Sequence, residues 1–181
     1  MQRRTRIASV TAALLITAGG AGSATASGPG PRQHHRHEAA ALTGTAKLYR
    51  SAGDDITFTF DAHLAAEDTR TPAKATGTFA FSHHLHGKGA WARAKVDCLI
   101  TGGRVAVVSG VITDTDLPGA RGRRLGVTVH DLGRHDRLGY SWALTEGIGP
   151  RNLPRCVSSA PFERVRPGTG DFHVVPWQPA L

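Results

Sequence analysis

The chain has 181 residues, of which 40% are hydrophobic and 20% are charged, and its formal net charge is +8 at pH 7. This length and composition suit one globular domain with a core of its own rather than several domains. Aromatic residues make up only 6% of the chain and the arginines are scattered, so a nucleic-acid interface of basic residues interleaved with stacking aromatics is not expected.

Residues 1–26 have the three-part layout of a secretory signal peptide. Three arginines precede an apolar run at residues 7–18, and small residues close the stretch at Ala26. The apolar run is shorter than the roughly 20 residues that a membrane-spanning helix needs. We therefore predict cleavage after Ala26, a secreted, extracellular protein and no membrane span. An uncleaved N-terminal anchor is the alternative.

Residues 27–40 follow the predicted cleavage site and are rich in glycine, proline and histidine. This composition does not support a packed element, so residues 27–40 are predicted to form a flexible tail and residues 41–181 a single β domain. Residues 1–26 contain three arginines and no acidic residue, so their removal lowers the net charge from +8 to +5. A basic domain of this kind can attract anionic components of the cell envelope.

Alternation of apolar and polar residues dominates the rest of the chain. It is clearest at residues 56–64, where Ile56, Phe58 and Phe60 are separated by threonines. A period of two places the apolar side chains on one face of a β-strand. Further strands are predicted at residues 75–85, 90–101, 104–113, 125–131, 138–144 and 162–166 with 172–175, and a weaker one at residues 41–49.

The connections between these segments are short, which decides the predicted fold class. Gly102 and Gly103 join two strands directly and predict a two-residue hairpin. No gap contains a convincing amphipathic helix, and residues 64–70 could form one or two turns at most. The sequence thus predicts an all-β fold, an antiparallel meander closing into a barrel of about seven or eight strands, and a β-sandwich is the alternative.

The chain has two cysteines, Cys98 and Cys156. In an exported protein an even number of cysteines favours pairing, so we predict a disulfide between them. A reactive thiol is the competing interpretation. It would need a cation nearby, and Lys95 lies on the opposite face of an extended strand from Cys98.

The ten histidines raise the question of a metal site. On an extended strand His84 and His86 would point the same way, and His63 on the preceding strand could add a third imidazole ligand for zinc or copper. The competing interpretation places them in solvent near Gly87, and no glutamate follows as it does after the His-x-His pair of cupins. No cofactor is predicted, and a histidine-based metal-binding protein remains an alternative function.

Two other kinds of site are compatible with the sequence. A barrel open at one end could hold a small apolar ligand, although the same side chains could simply fill the core. A histidine between two carboxylates, His135 with Asp131 and Asp136, could act as a general base, but the spacing is typical of a polar loop. The candidate ligand-lining residues are Phe58, Phe60, Phe79, Phe81 and Val107.

One stretch resembles a known group of proteins. Residues 96–112, V-D-C-L-I-T-G-G-R-V-A-V-V-S-G-V-I, followed by Val129-His130-Asp131 and by Asp136, resemble a pattern of small secreted, uncharacterised proteins of actinobacteria. The resemblance covers residues 42–175 and implies a secreted β domain without assigned chemistry.

The function predicted from the sequence is therefore that of a monomeric secreted β-barrel that serves as a binding or structural module. No catalytic site is identified, and a secreted barrel enzyme is the weaker alternative. A small apolar ligand and a cell-envelope component are the candidate partners. Trp177 lies between Pro176 and Pro179, which argue against a paired strand, and it is the tryptophan expected to lie outside the core.

Overall fold

The computed structural model describes residues 38–142 and 153–178, so the predicted signal peptide and residues 27–37 of the predicted tail lie outside the described residues. No helix in this part of the chain is long and apolar enough to cross a membrane. Two short 3-10 helices are present. Ala66–Asp68 lies within residues 64–70, for which one or two turns at most are predicted, and Pro72–Lys74 follows outside that range. The strands are β1 Glu38–Lys47, β2 Asp55–Ala65, β3 Thr76–Leu85, β4 Lys88–Gly102, β5 Val105–Thr115, β6 Arg124–His130, β7 Arg137–Trp142, β8 Glu163–Arg164 and β9 Asp171–Val175.

The strands form one antiparallel sheet, and β1 to β8 follow each other in chain order. The predicted all-β meander is confirmed, and the sheet is curled strongly into a half-barrel. The described residues contain nine strands rather than seven or eight, because the last predicted segment divides into two. β8 follows β7 at one end of the sheet, whereas β9 pairs with β1 at the other end.

The two ends of the sheet meet beside β1. The central part of β1 pairs with β9, while Leu48, just after β1, forms an antiparallel bridge with Val165. The backbone N–H of Tyr49 donates to the Arg164 carbonyl at 2.8 Å, next to this bridge. Because Arg164 also pairs with β7, residues 163–165 connect the two ends of the curled sheet.

The inner face of the sheet carries a filled aromatic core. In the register between β2 and β3, Phe58 lies opposite Phe81 and Phe60 opposite Phe79. The ring centroids of these pairs are 5.8 and 5.9 Å apart, and Phe172 of β9 packs edge-on against Phe60 at 5.3 Å. Such distances are those of aromatic pairs in direct contact, so the alternating residues of the strongest predicted strand build the centre of the fold.

A β-bulge in β4 changes which side chains face the core. Val96 lies opposite Gly110 and Cys98 opposite Ser109, so Asp97 has no opposing residue. One extra residue shifts the alternation by one. As a result Val96 and Leu99 are both buried in the core, and Cys98 faces outward.

The β4–β5 hairpin turns one residue later than predicted. Gly102 pairs with Val105, which leaves Gly103 and Arg104 as the turn residues. Gly103 has a φ of +55°. A glycine with positive φ at the first central position is the arrangement that a type II′ hairpin requires, so only one of the two glycines serves the turn.

β1 begins earlier than predicted. Glu38, Ala39 and Ala40 belong to β1, although the sequence placed them in the flexible tail. Ala40 pairs with Leu64 of β2 and is buried in the core. The alanines at this point extend the inner face of the sheet. The prediction of a tail rested on the average composition of residues 27–40, and that average hides the apolar residues at its end.

Residues 153–161, here called the strap, cross the outer face of the sheet. The disulfide between Cys98 and Cys156 fastens the strap to β4, with the two Cα atoms 5.4 Å apart. A Cβ on Gly126 would overlap the Val157 carbonyl, and one on Gly139 would overlap the Ala160 carbonyl. These two glycines let the strap backbone lie directly on β6 and β7.

Candidate functional site

The predicted ligand-lining residues occupy two different faces of the sheet. Phe58, Phe60, Phe79 and Phe81 are buried and belong to the core. Val107 lies on the other face, because its neighbours Ala106 and Val108 take the inward positions of β5 and are fully buried. The four phenylalanines thus pack against one another, and Val107 does not join them.

The predicted metal ligands are spread along the sheet. His63 lies opposite Thr76 near the start of β3, whereas His84 lies opposite Asp55 near its end, so the strand length separates the two imidazoles. His86 is in the turn after β3 with a φ of +49° and does not continue the strand alternation. Within residues 38–142 and 153–178, no three potential ligands are grouped around one point.

His63 of this set, and His83 beside His84, have carboxylate partners instead. His83 Nε2 lies 2.8 Å from Asp54 Oδ2. His63 contacts a carboxylate through each ring nitrogen, with Nδ1 2.8 Å from Glu38 Oε1 and Nε2 2.8 Å from Asp61 Oδ1. An imidazole can satisfy two acceptors only when both nitrogens carry protons, so this arrangement favours the imidazolium form of His63.

Stability is expected to depend on pH through His63. Partial burial by itself lowers the pKa of His63, but the hydrogen bonds and negative charges of Asp61 and Glu38 outweigh it and raise the pKa above 6.5. The stabilisation is then fully present below pH 6.5 and is lost as the pH rises through the higher value of the folded protein. Because the three side chains are partly exposed, we expect less than about 1 kcal/mol.

Urea unfolding between pH 5 and 9 tests this expectation. His63→Gln should flatten the pH dependence, whereas the control His84→Gln, on the same face of the sheet, should leave it unchanged. Equal slopes for the wild type and His63→Gln would contradict an imidazolium held by the two carboxylates.

Two aspartates of the loop between β6 and β7 accept hydrogen bonds from the edge of β9 that does not pair with β1. Asp136 accepts hydrogen bonds from the backbone N–H groups of Leu132 at 2.7 Å and of Phe172 at 2.9 Å. Asp131 accepts from the N–H of Val174 at 3.2 Å. Phe172 and Val174 are alternate residues of β9, so the two carboxylates take the place of a neighbouring strand along this edge.

This geometry gives the two carboxylates a structural role. Only 1% of the Asp136 surface is exposed, and burial, with the neighbouring Asp171 adding to it, raises the pKa of Asp136 above 3.8 against the effect of its backbone donors. His135 has no described hydrogen bond to either carboxylate. Asp131, His135 and Asp136 are thus close in sequence without forming the dyad of a general base.

A second polar cluster, not predicted from the sequence, lies beneath the strap. Asp97 accepts hydrogen bonds from Ser109 Oγ at 2.7 Å and Arg124 Nε at 2.8 Å, and the N–H of Cys156 donates to Ser109 Oγ at 2.9 Å. Arg124 also donates to the Leu153 carbonyl at 2.8 Å. The bulge at Asp97 turns this carboxylate toward the strap, so the cluster anchors the strap beside the disulfide.

An apolar cleft of about 280 Å³ lies at the end of the sheet where β2 passes into the 3-10 helices. Its floor includes the buried residues Leu64 and Leu99, and its walls include Ile100 and Trp177. Ile100 is 46% exposed and Trp177 is 39% exposed. Two large apolar side chains exposed in one concavity are typical of a surface that binds an apolar group. We call it the Trp177 cleft.

The two N–H groups of Trp177 are already used within the protein. The backbone N–H of Trp177 donates to Thr101 Oγ1 at 2.7 Å, and its indole Nε1 donates to the Thr69 carbonyl at 3.1 Å. These bonds fix the ring of Trp177 as a wall of the cleft. Arg70 also lines the cleft and has no ion-pair partner among the described residues, so the cleft combines apolar walls with one cation.

The prolines around Trp177 were the only sequence signal for this site. They indicated correctly that Trp177 lies outside a paired strand and outside the core. The sequence predicts a strand at Ile100 but not the face on which its side chain lies, and the bulge at Asp97 decides that it points outward. Thr69 and Arg70 reach the cleft through the irregular connection between β2 and β3, which a period-two pattern does not describe.

Comparison of the chain with protein-family models, with curated proteins and with solved structures found no match.

Proposed function

We propose that this protein is a secreted, monomeric binding module that holds a small apolar molecule with an acidic group in the Trp177 cleft. The observation that carries the proposal is the joint exposure of Ile100 and Trp177 over a floor of Leu64 and Leu99. Leaving these side chains in water costs free energy that an apolar ligand recovers on binding.

The filled core supports a site at the end of the sheet rather than inside the half-barrel. The aromatic rings of β2 and β3 are in mutual contact, so a ligand inside the half-barrel would have to displace them. The cleft is already open, and the N–H groups of Trp177 are paired with Thr101 and Thr69. An apolar ligand therefore enters without breaking protein hydrogen bonds.

The charge of the cleft selects the head group of the ligand. Arg70 is exposed at its edge, and a guanidinium pairs well with a carboxylate. An aliphatic carboxylate can place its chain against Trp177 and its acid group beside Arg70. Export by the predicted signal peptide and the disulfide fit a protein that works outside the cell.

The first test is a titration with octanoate, followed by residue-resolved NMR of the mature protein. We expect shifts at Ile100 and Trp177, and about a tenfold weaker affinity in Trp177→Ala, which corresponds to the loss of one well-packed aromatic contact. Trp91→Ala is the matched control, because Trp91 is similarly exposed on β4 but does not line the cleft. Equal weakening in both variants would overturn the proposal.

The role of Arg70 is tested separately with 1-octanol, which has the same chain without the charge. The wild type should prefer octanoate to octanol, and Arg70→Gln should remove this preference while leaving octanol binding unchanged. Octanoate shifts confined to the residues of the aromatic core would show that the ligand enters the half-barrel instead.

A further inference from the structure

Two arginines face each other across β7 and β8. Arg137 and Arg164 are direct partners in the antiparallel register. Their chain neighbours Leu138 and Val165 are buried, so the alternation of the strands directs both arginines outward. Like charges at directly opposed positions of a strand pair destabilise it. An anion bound between the two arginines would relieve this repulsion.

The protein does not supply that anion within residues 38–142 and 153–178. Neither Arg137 nor Arg164 has an ion pair or side-chain hydrogen bond there, whereas Arg50, Arg121 and Arg124 each contact a carboxylate. The two guanidinium groups are thus available to a ligand.

The pair lies in a pocket of about 460 Å³ on the outer surface. Tyr49, whose backbone N–H donates to the Arg164 carbonyl, also lines this pocket, and the residue is 57% exposed. The pocket is lined by Tyr49, Leu132, His135, Arg137, Arg164 and Pro167. It combines two arginines with an aromatic ring, a proline and an imidazole.

The carboxylate in the pocket lining does not neutralise the arginines. Asp136 is buried, and its two oxygens accept backbone N–H groups of Leu132 and Phe172. These backbone donors occupy both carboxylate oxygens, and the side chain is almost completely shielded from solvent. The surface that a ligand meets is therefore cationic.

We propose that this pocket binds a phosphate group between Arg137 and Arg164. Each guanidinium is a planar fork that matches the oxygens of a phosphate, and the charge of about −1.5 to −2 on a phosphate monoester at pH 7 matches two arginines. The phosphate comes either from the inorganic ion or from a phosphomonoester whose organic group lies against Tyr49. The proposal is independent of the Trp177 cleft, which lies among other residues.

Calorimetric titration of the mature protein with inorganic phosphate and with phenyl phosphate, at constant ionic strength, tests the site. We expect Arg137→Gln and Arg164→Gln each to weaken both ligands by about tenfold or more. Arg93→Gln is the matched control, because Arg93 is exposed on β4 outside the pocket. The melting temperature of the two pocket variants should equal or exceed that of the wild type, since the repulsion is removed.

The two ligands distinguish the sources of the phosphate. Tighter binding of phenyl phosphate, lost in Tyr49→Ala, supports a phosphomonoester, and equal binding of both ligands supports inorganic phosphate. The proposal is overturned if neither ligand binds, or if Arg93→Gln weakens binding as much as the pocket variants do. Octanoate binding should be unchanged in Arg137→Gln, so the two sites succeed or fail separately.

Discussion

Replacing Asp136 with alanine is expected to lower the free energy of unfolding by about 2–6 kcal/mol. The substitution removes the acceptor of two backbone N–H groups, those of Leu132 and Phe172. Asp136 is only 1% exposed, so water cannot replace the carboxylate without a rearrangement, and each unpaired buried donor costs about 1–3 kcal/mol. Urea unfolding followed by circular dichroism measures the loss.

Two related variants separate the lost hydrogen bonds from the lost charge. Asp136→Asn keeps one acceptor oxygen and should recover about half of the stability lost in Asp136→Ala. Asp131→Ala should cost less, about 1 kcal/mol, because Asp131 is more exposed and its bond to Val174 is longer, at 3.2 Å. Wild-type stability in Asp136→Ala would show that β9 is held by its pairing with β1 alone.

Removing the disulfide by replacing Cys98 and Cys156 with alanine is expected to cost up to about 4 kcal/mol. The two residues are 58 positions apart, and a loop of this length gains much conformational freedom in the unfolded chain when the bond is absent. Chemical denaturation of the oxidised wild type and the double variant measures the difference. The reduced wild type is the control for the effect of the substitutions themselves.

Hydrogen exchange shows where the loss of the disulfide acts. Exchange should accelerate in the strap, above all at the N–H of Cys156, which donates to Ser109 Oγ. The N–H groups of β2 and β3 should exchange at rates that reflect only the change in global stability. Unchanged protection of the strap would mean that Arg124 and Asp97 hold it without the covalent bond.

The strands were largely predictable because alternation is a local property. Ile56, Phe58 and Phe60 repeat every second residue, and the structure places all three in the core of β2. Short connections with glycines likewise indicate antiparallel neighbours. The location of β9 was different, since nothing in residues 171–175 indicates that they pair with β1 at the other end of the sheet.

The candidate sites could not be predicted from the alternation of residues along one strand, because they depend on how the strands pair. Arg137 and Arg164 are 27 positions apart in the chain, and only the pairing of β7 with β8 brings them opposite each other. The outward direction of Ile100 follows from the bulge at Asp97. A bulge is one extra residue in a strand, and its effect is visible only against the partner strand.

The sequence by itself determined that this protein is an all-β meander with one possible disulfide, and it predicted a signal for export. These properties follow from alternation, from the number of cysteines and from the layout of residues 1–26, all of which are local or countable. Tertiary structure alone decided that Asp136 secures β9 and that Trp177 lines a cleft. Both depend on contacts between residues far apart in the chain, such as Asp136 with Phe172 and Trp177 with Thr101.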